Sequence, residues 1–320
     1  MAAKRRLDKQ EVRATQRASG AARALAESMP RLILEARRIS ATVIHGLHGR
    51  RRAGPGENFW QYRRFLSGEP ARRVDWRRSA RDDHLYVRER EWEAAHTVWL
   101  WPDRSPSMSF RSQLAQEPKL DRALVITFAL AEILVQAGER IGVPNLMRPT
   151  GSRNVLDKLT NAIIHDTSER TSLPAFFVPS ALAEIVVVSD FWSPTAAILA
   201  SLSSLSANGA HGHTVQIVDP AEETFPYSGR VEFIEPEGAG SVTAGRAEAW
   251  RSEYEQRVAR HRAAIRSETD RIGWSFTIHR TDRPATDLLL AMHARLGAPP
   301  AGTTTAAAAS RTARVGARVA

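Results

Sequence analysis

Apolar residues recur with two different periods along the chain. Between residues 30 and 48 they are spaced three and four positions apart, which predicts the apolar face of an amphipathic helix. From residue 96 onward, short apolar runs alternate with longer segments of helical period. The clearest runs cover residues 97–101 and 184–188, and the most apolar helical segment covers 119–138. This alternation predicts an α/β fold.

The later elements continue the same alternation. Strands are predicted at 97–101, 140–147, 184–188, 213–218 and 273–279, with 230–234 as one arm of a hairpin. Helices are predicted at 119–138, 152–164, 195–205, 250–272 and 286–296. Strands that alternate with helices in this way indicate a doubly wound, mainly parallel sheet with helices on both faces.

The pattern divides the chain into four segments. Residues 1–29 are predicted to be a flexible basic N-terminus, and residues 298–320 a disordered tail rich in Ala, Thr, Gly and Arg. Residues 96–297 form the predicted α/β domain. Residues 30–95 combine the N-terminal helix with a segment dense in Gly, Arg and aromatic residues, for which periodicity predicts no element.

The positive charge is concentrated near the start of the chain. The 320 residues carry a net charge of +10, yet residues 1–90 hold 22 Lys and Arg against 10 Asp and Glu, and the remainder hold 23 against 25. The basic amphipathic helix could lie on an anionic membrane or dock on its own domain. Nucleic acid is an unfavourable partner, because acidic residues are interspersed among the arginines of 63–90.

Composition excludes several kinds of chemistry. The chain has no Cys, which rules out disulfides, thiolate metal sites and a cysteine nucleophile. A phosphate-binding loop and metal-type His spacings are also lacking. The apolar stretch 123–131 is much shorter than the ~20 residues of a membrane helix. We therefore expect a cytoplasmic protein without a transmembrane span, with at most peripheral membrane contact.

Oxygen-bearing side chains follow the two clearest strands. Asp103, Ser105 and Ser107 form an Asp-x-Ser-x-Ser motif directly after the first strand, and Asp190 follows the strand at 184–188. Ligands of parallel sheets bind at the carboxyl ends of strands. One carboxylate and two hydroxyls suit Mg²⁺ or Mn²⁺, with Asp190 binding directly or through water. The alternative is that the motif only caps the following helix.

Two known families share these motifs. The strand end resembles the metal-ion-dependent adhesion site of von Willebrand factor A domains. Residues 54–81, which precede it, carry the motifs Gly-x-Gly-x-x-Phe and Arg-x-Val-Asp-Trp. This segment resembles the signature of the bacterial "domain of unknown function 58" family, which precedes a von Willebrand A-like domain. The residues that carry this likeness are Gly54, Gly56 and Phe59, then Arg63, Gly68 and Glu69, then Arg72, Asp75 and Trp76, and finally Ala80 and Arg81. Phe65 and Glu69 depart mildly from the family's Tyr and Asp.

The resemblance implies a von Willebrand A-like domain that binds a divalent metal without being an enzyme. Asp103, Ser105 and Ser107 would be the core ligands and Asp190 a further one, while a third loop would supply Thr150 or Ser152. A carboxylate from a partner protein would complete the coordination of the ion. The resemblance also implies a MoxR-type AAA+ ATPase as partner, acting with this chain on an unknown client protein.

The signature segment has two interpretations. The resemblance favours a partner-docking surface, whose residues would be Gly54, Gly56, Phe59, Arg63, Gly68, Arg72, Asp75, Trp76 and Arg81. Alternatively, these residues form a small packed subdomain in which aromatic side chains such as Trp76 are apolar anchors and ion pairs brace the backbone.

We expect, from these observations together, a non-enzymatic, metal-dependent protein-binding module acting as an adaptor or chaperone-like accessory. One alternative is a metal-dependent phosphoester hydrolase using Asp103, Asp190 and Asp219. The other is a basic peripheral adaptor that binds a membrane or nucleic acid through residues 1–52.

Overall fold

The computed structural model describes residues 23–44, 59–65, 70, 74–81, 83–90, 96–168, 170–175, 177–180, 183–238 and 240–296. They belong to two compact units. One unit contains the described parts of residues 1–44 and 96–320, and the other contains those of residues 45–95.

The first helix, α1, covers residues 23–44 and so begins earlier than the predicted residue 30. Its buried face repeats every three or four positions and consists of Leu25, Met29, Leu32, Ala36, Ile39 and Val43. At its polar edge, Arg31 pairs with Asp121, and the Ser40 hydroxyl donates to Glu132 Oε2 at 2.8 Å. The apolar face of α1 is therefore covered by the protein itself.

The smaller unit contains β1 (Phe59–Arg64), α2 (Trp76–Ser79) and β2 (Tyr86–Arg90). The two strands are antiparallel, with an irregularity between Phe59 and Gln61. The Asp75 carboxylate caps α2 by accepting the Arg78 N–H at 2.9 Å. Apolar alternation is weak here, so the hydrogen-bonded partner strand rather than a local pattern defines these strands.

The larger unit is built on a six-stranded sheet. Its strands are β3 (Thr97–Pro102), β4 (Arg140–Val143), β5 (Met147–Thr150), β6 (Glu184–Ser189), β7 (His211–Val218) and β10 (Ser275–Arg280). A separate antiparallel hairpin consists of β8 (Val231–Ile234) and β9 (Ser241–Ala244). The sheet order is β10-β7-β6-β3-β4-β5, and only the pairing of β5 is antiparallel. The predicted mainly parallel sheet is confirmed.

Helices flank this sheet in two groups. They are α3 (Lys119–Gln136), α4 (Val155–Ile164), α5 (Thr195–Ser206), α6 (Pro220–Thr224), α7 (Arg251–Arg271) and α8 (Ala285–Leu296). Helix α3 packs with α4 and α8, whereas α5 packs with α7. Residues 185–188 of β6 are all buried, as expected for a central strand covered on both sides.

Most elements predicted after residue 96 agree with the structure to within three residues, but the strand predicted at 140–147 is wrong. The chain turns after Val143, because Pro144 has no N–H to donate and Asn145 takes a left-handed conformation with φ 60°. The Leu146 N–H donates to the Val143 carbonyl at 3.1 Å and closes the turn. The result is two short antiparallel strands at the edge of the sheet.

No helix among the described residues is long and apolar enough to cross a membrane.

His279 on β10 should make stability depend on pH. It is 5 % exposed, and its Nε2 has no hydrogen-bond partner among the described residues. Burial, together with the nearby charge of Arg122, lowers the pKa of His279 from 6.5 to about 4, although Asp282 opposes this shift. Below pH 6.5 the unfolded chain therefore binds a proton at His279 that the folded chain binds only near pH 4. The free energy of unfolding consequently decreases as the pH falls from 6.5 towards 4. In His279→Gln, we expect the loss of unfolding free energy between pH 7 and pH 4 to be smaller by about 3 kcal/mol, measured by urea denaturation.

The exposed His96 provides the control for this measurement, since His96→Gln should retain the wild-type pH dependence. Equal pH dependence in His279→Gln and wild type would contradict a lowered pKa of His279 in the folded chain.

Candidate functional site

The candidate site lies where the order of the strands reverses. From β3 the chain places β4 on one side, and later places β6 and β7 on the other. Such a switch point leaves a crevice at the carboxyl ends of the two neighbouring strands. The Asp103 N–H donates to the Val188 carbonyl at 2.8 Å. Asp103 after β3 and Asp190 after β6 therefore lie at adjacent strand ends.

Hydrogen bonds connect the four residues that the sequence presented as metal ligands. Asp103 Oδ1 accepts the Ser105 N–H at 2.8 Å, and the hydroxyls of Ser105 and Ser107 are 3.2 Å apart. The Ser107 hydroxyl donates to Asp190 Oδ2 at 2.7 Å. The structure thus brings Asp103, Ser105, Ser107 and Asp190 together in one cluster, here called the strand-end site.

The capping alternative accounts for little of this motif. Ser105 precedes a short 3-10 helix at Pro106–Ser109, but its side chain makes no capping hydrogen bond. Its hydroxyl is instead directed towards that of Ser107. The two hydroxyls therefore serve the strand-end site rather than the helix end.

The carboxyl group of Asp103 has an unusually high pKa. Its side chain is fully buried, and its Oδ2 accepts the Ser189 hydroxyl at 2.7 Å. Burial raises the pKa of Asp103 to about 7, reinforced by the charge of Asp190 and opposed by hydrogen bonds from Ser189 and Ser105. The strand-end site therefore holds more negative charge than its surroundings easily accommodate.

A buried lysine that the sequence analysis did not select supplies a cation. Lys119, at the start of α3, is 1 % exposed, and its Nζ donates to Asp190 Oδ2 at 2.8 Å and to Glu222 Oε1 at 2.6 Å. Burial alone would lower the pKa of Lys119, but the carboxylates of Glu222 and Asp190 outweigh it and raise the pKa. The ammonium therefore stays charged and occupies a cation position beside Asp190.

Asp219 does not join the strand-end site as the hydrolase alternative requires. Its Oδ1 accepts the Ala221 N–H and its Oδ2 the Ser112 N–H, both at 2.8 Å. Glu222 Oε2 accepts the Asp219 N–H at 2.9 Å, which completes a capping box on α6. Asp219 is thus a structural cap, and it also positions Glu222 for Lys119.

A divalent metal fits part of the predicted ligand set. Asp190 and Glu222 share the one ammonium of Lys119, and Asp103, Ser105 and Ser107 offer hard oxygen ligands beside them. No group of three or more His, Cys, Asp and Glu within the described ranges is arranged to hold a metal. Asp190 is already engaged by Lys119, so it fits as the acceptor that orients Ser107 rather than as a direct ligand.

The structure does not bring the third-loop candidates to this cluster. Thr150 belongs to the edge strand β5, which β4 separates from β3. Its hydroxyl accepts the Ser152 N–H at 3.3 Å and lies 3.4 Å from Lys158 Nζ. Thr150 and Ser152 therefore interact with each other instead of with Asp103.

The proposed docking residues of the signature segment are only partly visible. Gly54, Gly56, Gly68 and Arg72 lie outside the described residues, and for Phe59 and Arg63 the structure describes only the backbone of β1. Asp75 caps α2, and Arg81 follows that helix at an exposed position. The interpretation of Trp76 as a buried anchor is wrong, because its side chain is 61 % exposed at the start of a helix of only one turn.

Two sequence signals could have indicated the residues that were missed. Lys119 is one of four lysines among 45 basic residues, and it begins a long helix that is buried along most of its length. Glu222 follows Asp219 at the three-residue spacing of a capping box. Neither signal identifies the partner carboxylates, which are 71 and 103 residues away from Lys119.

Removal of the Lys119 charge should destabilise the larger unit. Lys119→Met keeps an unbranched side chain of similar size but leaves Asp190 and Glu222 buried without a counter-charge, at a cost of about 3–5 kcal/mol. Lys158→Met, at an exposed lysine, is the matched control and should change the unfolding free energy by about 0.5 kcal/mol or less. Urea unfolding followed by circular dichroism measures both, and equal stabilities of the two variants would contradict the central role of Lys119.

Comparison with known proteins assigns the chain to a family. The family model described as "Protein of unknown function DUF58" matches residues 61–264. Three uncharacterized proteins, Rv1480 and MT1527 of Mycobacterium tuberculosis and Mb1516 of Mycobacterium bovis, are each 24 % identical over 261 residues, covering 75 % of this chain and 80 % of theirs.

Among solved structures, the conserved hypothetical protein BatB from Bacteroides thetaiotaomicron aligns with 63 % of this chain and 98 % of its own, at 10 % identity and a TM-score of 0.37. A likeness at that level supports no argument about fold. The family model, by contrast, spans more than half of the sequence. The chain therefore belongs to the DUF58 family of proteins of unknown function.

Proposed function

We propose that this chain is a non-enzymatic protein-binding module whose strand-end site holds Mg²⁺ or Mn²⁺ and captures a carboxylate of a partner protein. The observation that carries the proposal is the buried cluster of Asp103, Ser105, Ser107 and Asp190, where one ammonium faces an excess of carboxyl groups. A divalent ion bound there supplies the positive charge that would recognise Asp or Glu of a partner.

In this proposal each side chain has a separate task. Asp103 provides the negative charge that attracts the cation, and Ser105 and Ser107 provide hydroxyl oxygens. Asp190 accepts the Ser107 proton, so the lone pairs of that hydroxyl face away from Asp190. Lys119 holds Asp190 in this position by donating to the same carboxylate oxygen, Oδ2. The partner of Ser107 is a carboxylate whose charge Lys119 already balances, and this supports a role for the hydroxyls as ligands.

The proposal includes a von Willebrand A-like identity for the larger unit. The position of the Asp-x-Ser-x-Ser loop after a strand at the switch point of a mostly parallel sheet supports it. The resemblance of the chain to its family suggests a MoxR-type AAA+ ATPase as the partner and an adaptor or chaperone-like role.

Metal binding tests the first step. Titration calorimetry with Mg²⁺ and Mn²⁺ should show saturable binding to wild type and a loss of affinity of about tenfold or more in Asp103→Asn, which removes the ligand charge while keeping the side-chain shape. Asp157→Asn, at an exposed position in α4, is the matched control and should bind like wild type. Equal affinities of Asp103→Asn and wild type would place the ion elsewhere and reject the proposed site.

Partner capture tests the second step. Without nucleotide, immobilised wild-type chain should retain a purified MoxR-type ATPase of the source organism in Mg²⁺, and both EDTA and Asp103→Asn should abolish this retention. Retention that is indifferent to EDTA and to the variant would reject the metal bridge. Turnover of a phosphoester panel in Mg²⁺ or Mn²⁺, lost in Asp103→Asn, would replace the proposal with the hydrolase alternative.

A further inference from the structure

A large apolar cavity adjoins the strand-end site. Its volume is about 830 Å³, within the range of roughly 300–1,000 Å³ that is usual for ligand pockets. Ser107 of the strand-end site forms part of its wall. So do Lys119, which pairs with Asp190, and Glu222, which pairs with Lys119. A molecule seated in the cavity therefore lies next to the hydroxyl that the proposed function uses.

The cavity collects exposed apolar side chains. Of the large apolar residues exposed in the described chain, four line it, namely Phe110, Ile234, Val242 and Trp250. The exposed fraction reaches 72 % for Ile234 and 58 % for Val242. A contiguous group of this kind is unfavourable in water, and such groups mark interaction sites.

Aromatic packing makes the cavity wall rigid. Phe225 has a left-handed backbone with φ 40° and packs against Tyr254 and Phe233, with ring centroids 4.7 and 5.8 Å away. Phe233 belongs to β8, so this stacking attaches the β8–β9 hairpin to the unit. The Tyr254 hydroxyl donates to the Glu222 carbonyl at 2.7 Å, which connects the aromatic cluster to α6.

The charges around the cavity favour an acidic occupant. Lys119 is already paired with two carboxylates inside the protein. Arg257, also in the wall, pairs with Glu253 at 3.3 Å, but the two side chains are 72 % and 69 % exposed. Such an exposed pair contributes little and can exchange its partner. The guanidinium of Arg257 is thus available to a carboxylate that enters with the occupant.

We propose that the cavity binds a segment of a partner protein that carries a large aliphatic or aromatic side chain within a few residues of Asp or Glu. The apolar side chain fills the cavity, which Val242 and Ile234 help to line, and the acidic one reaches the strand-end site beside Ser107. This inference rests on the proposed function for the acidic contact, whereas the apolar contact stands on the cavity alone.

Peptide selection tests the proposal. Random twelve-residue peptides are selected on the full-length chain in Mg²⁺, and the best binder is labelled with fluorescein for anisotropy titrations. We expect the selected sequences to be enriched in large apolar residues within four positions of Asp or Glu. Val242→Ser and Ile234→Ser should each weaken binding by about tenfold. Val178→Ser, at an equally exposed valine outside the cavity, is the matched control and should bind like wild type.

The arms of this experiment separate the two proposals. Loss of binding in Val242→Ser but not in Asp103→Asn or EDTA would support the cavity and reject the metal bridge. Loss in Asp103→Asn with unchanged binding in Val242→Ser would support the metal bridge and overturn the cavity, as would a selection without binders. Two further outcomes would overturn the proposal of a partner, because they would assign the cavity to this chain itself. One is displacement of the selected peptide by a synthetic peptide of residues 297–320. The other is a dimer of the wild-type chain in sedimentation that is lost in Val242→Ser.

Discussion

The buried ammonium of Lys119 joins three parts of the larger unit that are distant in sequence. Its bonds to Asp190 and Glu222 tie the start of α3 to the end of β6 and to α6. A charge so deeply buried is tolerated only when it is paired and hydrogen-bonded. Both carboxylates must therefore remain in place, and with Asp190 the hydroxyl of Ser107 is held as well. The geometry of the strand-end site depends on this one contact.

The same contact explains the electrostatic character of the site. Lys119 neutralises part of the carboxyl charge near Asp190, but none of its hydrogen bonds goes to Asp103. Asp103 receives only neutral donors, from Ser105 and Ser189. Burial raises its pKa to about 7, and these hydrogen bonds only partly oppose that effect. A site with one built-in cation and an uncompensated acid is poised for a second positive charge.

The cavity adds an apolar component to this charged site. Glu222 belongs to both regions, because its carboxylate binds Lys119 and Trp192 Nε1 while its carbonyl accepts the Tyr254 hydroxyl. Movement of the aromatic cluster of Phe225, Phe233 and Tyr254 would therefore shift Glu222 and alter its contact with Lys119. Combining an apolar anchor with a charged contact is a common basis for specific protein recognition, since the first supplies affinity and the second supplies selectivity.

Local pattern in the sequence determined most of the strands and helices after residue 96, and it placed Asp103 and Asp190 each at the end of a strand. The tertiary structure made those two strands neighbours. Burial imposes a period on each element, and parallel strands bring their carboxyl ends to one edge of a sheet. Only the tertiary structure decided the turn that divides β4 from β5, the pairing of β1 with β2, and the partners of Lys119. These features depend on contacts between residues far apart in the chain, and the period of an element indicates which side chains are buried but not which groups they meet. For the same reason the cavity, formed by residues from separate loops, helices and a hairpin, left no pattern in the sequence.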